Sequence, residues 1–331
     1  MRIILLILIT FKFSLAQITI THNDLISVGD VIEQVDDVSP NSLINVGNAG
    51  ANQFWDFSSL QILGSYTQEC ILPSSTPYSS SYSNANLCMF DGVEYVFLNK
   101  TSSKIELLGI DDSVFTNPVI VLPLPLNYGA SIVDGPVVFV DSSISGPFVD
   151  LILTTYGYSA SLISGFAAHT SDTISIRGEI ETEFTVDAYG SMMLPMGIYD
   201  CLRLKIKRNS TTNIQAHCID TITGAGTGWY QIPFVDFDEE VSYQWWTNNT
   251  DSRFFLAEAY VDSNENVTDV TFTNNSTQSH KGQIENKFLI NNIGDYIVLR
   301  SSLSNDISSF SIRDITGKLI FEDTFFDELS I

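Results

Sequence analysis

The chain has 331 residues, of which 39 are Asp or Glu and 15 are Lys or Arg, so its formal net charge at pH 7 is −24. This excess of acids disfavours nucleic-acid binding, which depends on cationic side chains against phosphates, and it disfavours attachment to anionic membranes. Hydrophobic residues make up 44 % and aromatic residues 11 % of the chain, which indicates a folded protein with one or two cores and not a disordered acidic tail.

Residues 1–16 have the pattern of a secretory signal peptide. An apolar run at 3–10 follows Met1-Arg2, and small residues precede a cleavage site after Ala16. The run is shorter than the ~20 residues of a membrane-spanning helix, so a short membrane anchor is the less favoured alternative. No later stretch is long and apolar enough to span a bilayer. The mature chain is therefore predicted to lack a transmembrane segment and to reach the extracellular space or the cell surface.

Short runs with period-two alternation follow, and they are separated by turns rich in Gly, Pro, Ser and Asn. This pattern predicts an all-β fold with one or two sandwich-like units and then a small, truncated β domain. The expected regions are 17–171, 172–280, which contains a charged hairpin, and 286–331. Residues 144–170 are apolar but contain Gly and Ser, so they fit either a strand pair or a short helix. The other predicted strands are 93–98, 105–108, 137–140, 173–177, 228–232, 241–246, 254–261 and 267–272.

The charged hairpin lies at 181–207. Phe184, Val186 and Ala188 alternate with acids on the first strand, and apolar residues alternate with Arg203, Lys205 and Lys207 on the second. An antiparallel register that places Asp187 near Arg203 and Glu183 near Lys207 satisfies both patterns. Both pairs are expected on the exposed outer face, where each contributes only ~0.2–1 kcal/mol, so they specify the register more than they stabilise the fold.

The chain has four cysteines, and export would place them where disulfides persist. Four cysteines allow three connectivities. The favoured one joins Cys70 to Cys88 and Cys201 to Cys218, because each pair closes a short loop or hairpin. Free buried thiols are the alternative.

Three segments resemble known secreted proteins. QFWDFSSL at 53–60 and TVDAYGSMMLPMGIYDCLRLKIK at 185–207 resemble elements of secreted proteins of Bacteroidetes-type bacteria that have no established chemistry. FSIRDITGKLIF at 310–321 resembles the central hairpin of the C-terminal sorting domain that the type IX secretion machinery recognises. The usual Pro-Asn-Pro entry and the final Gly-x-Tyr strand are absent, so 286–331 is similar to only part of that domain. The resemblance implies location and a partner in the secretion machinery if the tail is completed, and a periplasmic protein if the tail does not function.

An acidic cluster precedes the strand predicted at 241–246. It consists of Asp236, Asp238, Glu239 and Glu240, and carboxylates of this kind could supply oxygen ligands to calcium. A solvated loop is the competing interpretation. No other cofactor is predicted.

Aromatic residues are concentrated at Trp229, Tyr230, Tyr243 and Trp245, as a platform for stacking against glycans would require. Tyr243 and Trp245 face one way on a strand and Trp246 the other, so at least part of the set must belong to the core.

No catalytic motif is recognisable in the sequence. The favoured hypothesis is therefore a secreted or cell-surface protein without enzymatic activity, which binds glycans or other surface components. One alternative is an extracellular hydrolase that acts on polysaccharide with a carboxylate pair about 5–10 Å apart. A structural surface protein is the other.

Overall fold

A computed structural model describes residues 18–274, apart from the side chains of 234–237, and beyond them the backbone of strands only: 278–279, 288–293, 296–301, 307–313, 319–326 and 328–330. The chain divides into two compact units, Met1–Ser279 and His280–Ile331. Strands on both sides of residue 171 pair with one another in the first unit. The predicted boundary at 171 therefore does not separate two units. None of the helices in the described part of the chain has the length and apolarity that a membrane crossing requires.

Strands are the main regular structure of the first unit, which confirms the all-β prediction. Residues 144–170, whose pattern was ambiguous, contain two short helices, and Ser159 caps the second of them by accepting a hydrogen bond from the Leu162 amide. The elements are β1 (Asp30–Asp37), β2 (Gly50–Asp56), β3 (Gly64–Ile71), β4 (Leu87–Phe90), β5 (Tyr95–Lys100), β6 (Lys104–Ile110), β7 (Ser113–Pro123), β8 (Ser131–Ser145), α1 (Val149–Thr155), α2 (Ala160–Ile163), β9 (Thr170–Leu194), β10 (Gly197–Ile219), β11 (Gly228–Trp246), β12 (Ala257–Val261), β13 (Val267–Thr273) and β14 (Gln278–Ser279).

These strands form one 14-stranded sheet in the order β2-β9-β10-β11-β12-β13-β1-β3-β4-β5-β6-β7, with β8 paired to β9 and β14 to β1. The largest apolar cluster contains Leu98 and Leu122 from one end of this order and Phe184 and Leu204 from the other. The sheet must therefore curve until its two ends face each other across this cluster. Side-chain hydrogen bonds also join β7 and β8, because the Asn117 amide donates to the Val138 carbonyl.

Strands β9 and β10 form the predicted hairpin, and Glu183 lies directly opposite Lys207 as expected. A bulge at Asp187 separates the pairs Ala188–Arg203 and Val186–Leu204. The extra residue turns Ala188 to the opposite face from Val186, so the prediction that Phe184, Val186 and Ala188 share one side is wrong for Ala188.

The long strands β8 to β11 extend beyond the curved part of the sheet. The distal end, which we define as residues 142–176 and 209–232, has its own apolar cluster, in which Val149 and Leu153 of α1 pack against Ile174 and Ala216. The two α-helices thus cover one face of the sheet at this end.

The second unit contains β15 (Phe288–Ile293), β16 (Tyr296–Ser301), β17 (Ile307–Arg313), β18 (Leu319–Phe326) and β19 (Glu328–Ser330). Strands β15, β16 and β19 form one small sheet, and β17 pairs antiparallel with β18.

Candidate functional site

The concave side of the curved sheet contains a cavity of about 330 Å³, which we call the sheet cavity. Its wall is mostly apolar and comes mainly from strands between β11 and β7 in the sheet order. The apolar lining residues are Ile26, Met89, Val96, Leu98, Ile105, Leu107, Val121, Leu122, Trp246, Phe254 and Phe255, and the polar ones are Gln34, Tyr66, Gln68, Gln244 and Glu258.

Strand register brings the polar residues to one part of the wall. Gln34 of β1 lies directly opposite Tyr66 of β3, and Gln68 is two residues further along β3, so all three point to the same face. Gln244 of β11 lies directly opposite Glu258 of β12. The sheet order places these two pairs of strands on either side of β13.

Hydrogen bonds fix the Glu258 carboxylate. The Trp246 indole donates to Gln244 Oε1 at 3.0 Å, which orients the amide so that its Nε2 donates to Glu258 Oε1 at 2.9 Å. The Ser242 hydroxyl donates to the same carboxylate oxygen at 3.2 Å. A ligand in the cavity would thus meet a carboxyl group of defined orientation.

Burial shifts the acidity of two groups in this wall. It raises the pKa of Glu258, and the hydrogen bonds from Gln244 and Ser242 only partly oppose that shift. Burial, and secondarily the negative charge of Asp36, raises the pKa of Tyr66 to about 12. The tyrosine hydroxyl therefore remains a hydrogen-bond donor at neutral pH.

Two amide atoms in the wall have no hydrogen-bond partner among the described residues. Gln34, whose side chain is 2 % exposed, has an unpaired Nε2, and Gln68 has an unpaired Oε1. An unpaired buried polar atom costs about 1–3 kcal/mol. A bound molecule with both an acceptor and a donor would recover this cost.

The predicted aromatic platform is wrong. Tyr243 and Trp245 are buried in another core cluster, which also contains Phe57. Trp246 faces the largest apolar cluster, as the alternation along the strand requires. Tyr230 packs at the distal end and donates its hydroxyl to the Gly226 carbonyl. Trp229 alone of the four predicted residues is exposed, at 51 %, so no two of these rings can stack on an external sugar.

The predicted calcium site is not assembled either, because the acidic cluster lies within β11 and not in a loop. Glu239 pairs with Lys207 at 3.0 Å, and Glu240 pairs with Arg208 at 2.9 Å. Successive strand residues point to opposite faces, so Asp238 and Glu239 diverge, and the Asp236 side chain lies outside the described part. Among the described residues, no three His, Cys, Asp or Glu side chains are placed to hold a metal ion.

All four cysteines are free and buried. Cys201 and Cys218 belong to the same strand, β10, and lie roughly 50 Å apart along it, so the predicted bond between them is wrong. Cys70 lies opposite Met89, whereas Cys88 lies opposite Ile71. The thiols of Cys70 and Cys88 therefore point to opposite faces of the sheet, and the other predicted disulfide is wrong as well.

The sequence matches no protein-family model and no curated protein. Among solved structures, the chain is similar to a protein of Bacteroides fragilis described as exported and as having a YmcC-like fold. The two are 8 % identical, with a TM-score of 0.26, and the similarity covers 76 % of this chain and 96 % of the other. A similarity of this size supports no conclusion about activity.

Proposed function

We propose that the protein is exported after cleavage behind Ala16 and that it binds a small, mainly apolar molecule in the sheet cavity. The observation that carries this proposal is an apolar cavity whose wall holds a buried donor on Gln34 and an acceptor on Gln68, neither of which has a partner in the described part of the chain. Binding sites for small molecules typically combine an apolar lining with a few polar groups in this way, in volumes of ≈ 300–1,000 Å³.

The ligand class follows from the charges around the cavity. Of the described residues that line it, Glu258 is the only acid and none is Lys or Arg. An anionic ligand would find no cation there, and the net charge of −24 would repel it. We therefore expect a neutral or cationic ligand, and binding without catalysis, because a second carboxylate for hydrolysis is not among these residues.

The location of the protein is part of the proposal. The signal-like residues 1–16 support export, and the sorting-like segment at 310–321 supports delivery to the cell surface by the type IX secretion machinery. Sequencing the N-terminus of the protein recovered outside its cell of origin tests this point. A mature chain that begins at Gln17 is expected, and an uncleaved chain would contradict it.

Titration with N-phenyl-1-naphthylamine, whose fluorescence rises in apolar surroundings, tests the binding site. The natural chain should bind this amine saturably, and Val121→Phe, which fills the cavity from β7, should weaken binding at least tenfold. Val114→Phe is the matched control, because Val114 lies on the same strand but is exposed. Equal binding by both variants would refute the assignment of the site.

A second comparison tests the role of the polar wall. The amine has an N–H group that can donate to Gln68, whereas 1-phenylnaphthalene has none. A net hydrogen bond of about 1 kcal/mol corresponds to an approximately fivefold preference for the amine. In Gln68→Leu the preference should vanish, and an unchanged preference would show that Gln68 does not contact the ligand.

A further inference from the structure

The distal end of the sheet contains a second cavity, of about 400 Å³, which we call the distal cavity. The helix α1 and the chain that follows it close one side with Ile152, Leu153 and Tyr156. The facing strands contribute Ile176 and Ile214, which lie in adjacent strands. In contrast to the sheet cavity, it has no amide or carboxyl group among its described lining residues.

The surface around this cavity is also apolar. Tyr156, which belongs to the cavity wall, is 77 % exposed, and Phe166, after α2, is 83 % exposed. Leu151 and Leu162 are further exposed apolar side chains of the two helices. Large exposed apolar side chains concentrated in one region commonly mark a binding surface.

Charge is nearly absent from the distal end, although the chain as a whole is strongly acidic. Residues 142–176 and 209–232 contain no Lys or Arg and only three acids. Asp150 accepts a hydrogen bond from the Ser171 amide, Asp172 lies 2.8 Å from His217, and Asp220 lies 3.4 Å from His169. Each carboxylate therefore has a hydrogen-bonding partner within the protein, and an anionic ligand would find no Lys or Arg in these segments.

We propose that the distal cavity binds the alkyl chain of an uncharged, single-chain amphiphile. A lining of seven aliphatic side chains and two tyrosines, with no amide or carboxyl group, suits a saturated hydrocarbon chain. An apolar cavity of about 150 Å³ holds benzene, so about 400 Å³ has room for a chain of about ten carbons. The head group would remain near exposed Tyr156, at the opening.

Calorimetric titration of the full chain with 1-alkanols from hexanol to dodecanol tests this inference. Each buried methylene should raise the affinity about fourfold, and the increase should stop near ten carbons, where the cavity is full. Decanoate should bind at least tenfold more weakly than decanol. Absence of saturable binding, or equal affinity for decanoate, would overturn the proposal.

Variants locate the site and separate it from the sheet cavity. Ile214→Phe should shorten the chain length at which affinity stops rising, and Ile152→Ala should lengthen it, so the second variant serves if the first does not fold. Ile222→Phe, at an exposed position outside the cavity, and Val121→Phe, in the sheet cavity, should leave the alkanol series unchanged. If alkanol affinity were insensitive to Ile214→Phe and Ile152→Ala, the assignment would be wrong. A concentration-dependent dimer in sedimentation that Ile214→Phe dissociates would assign the surface to a second copy of the chain, and so overturn the proposal.

Discussion

Arg203 is the one Lys or Arg that is buried among the described residues. Its side chain is 2 % exposed, and its guanidinium makes a bidentate pair with Asp187, at 2.8 and 2.9 Å. It also donates to the carbonyl groups of Val46 and Gly47, and it lies 4.9 Å from the centre of the Tyr243 ring. The residue thus joins β10 to the loop before β2.

Arg203→Met keeps much of the apolar contact but removes the charge and every donor. Asp187, whose side chain is only 15 % exposed, would remain as an uncompensated carboxylate. The Gly47 carbonyl would lose its hydrogen bond from Arg203, and the Val46 carbonyl would keep only the one from the Trp55 indole. Removal of one partner from a buried ion pair costs about 3–5 kcal/mol. We expect a loss of about 4 kcal/mol of unfolding free energy, and a fall in melting temperature of about 10 °C at 2–4 °C per kcal/mol.

Urea unfolding, followed by tryptophan fluorescence, measures this loss. Lys207→Met is the matched control on the same strand, because Lys207 pairs with Glu239 at 3.0 Å between two exposed side chains and should contribute at most about 1 kcal/mol. Arg203→Met combined with Asp187→Leu should recover part of the loss, since no buried charge remains unpaired. A loss below about 1 kcal/mol in Arg203→Met, or equal losses in Arg203→Met and Lys207→Met, would refute the reasoning.

Three further predictions concern the cavity acid, a close backbone contact and the thiols. Burial raises the pKa of Glu258 above its ordinary value of 4.5, so the charged form of this residue opposes folding. Glu258→Gln should therefore raise the melting temperature more at pH 7 than at pH 4, and an equal gain at both pH values would contradict this. A Cβ on Gly190 would overlap the Gln53 carbonyl, so Gly190→Ala should weaken the β2–β9 pairing and lower the melting temperature. Gly228→Ala should not lower it, because a Cβ at Gly228 has room. All four cysteines are buried, and burial raises the pKa of Cys70 to about 12 and that of Cys88 to about 11. In the absence of reductant, a thiol reagent should therefore detect no fast-reacting thiol in the native protein and four thiols in urea. Two or fewer thiols in urea would indicate disulfides.

Local alternation predicted the hairpin register, because polar and apolar residues alternate with a period of two along both strands of 181–207. It could not predict that Arg203 is buried. Alternation assigns a side chain to a face, but whether that face is covered depends on the loop around Val46 and Gly47, which is distant in sequence. The bulge at Asp187 could not be predicted from the alternation either, since it arises from pairing with β10.

The disulfide prediction failed for a related reason. The polar run at 209–213 looks like a turn, which would bring Cys201 and Cys218 together, yet it continues as strand because it is paired on both sides, by β9 and β11. Pairing partners on both flanks satisfy the backbone and override a weak local preference. Cys201 and Cys218, which are close in sequence, are therefore far apart in space.

The sheet cavity shows the opposite case, in which residues that are far apart in sequence lie close together in space. Gln34, Gln68, Gln244 and Glu258 are spread over more than two hundred positions, and only the order β11-β12-β13-β1-β3 brings them to one wall. Each is a polar residue at an inward position of its strand, a local signal that becomes informative once the inward face is known. The clusters that were conspicuous in the sequence, the aromatics at 229–246 and the acids at 236–240, were instead divided between the two faces of β11. In a long strand, compact sequence clusters are poor candidates for a site, whereas isolated polar residues on the buried face are good ones.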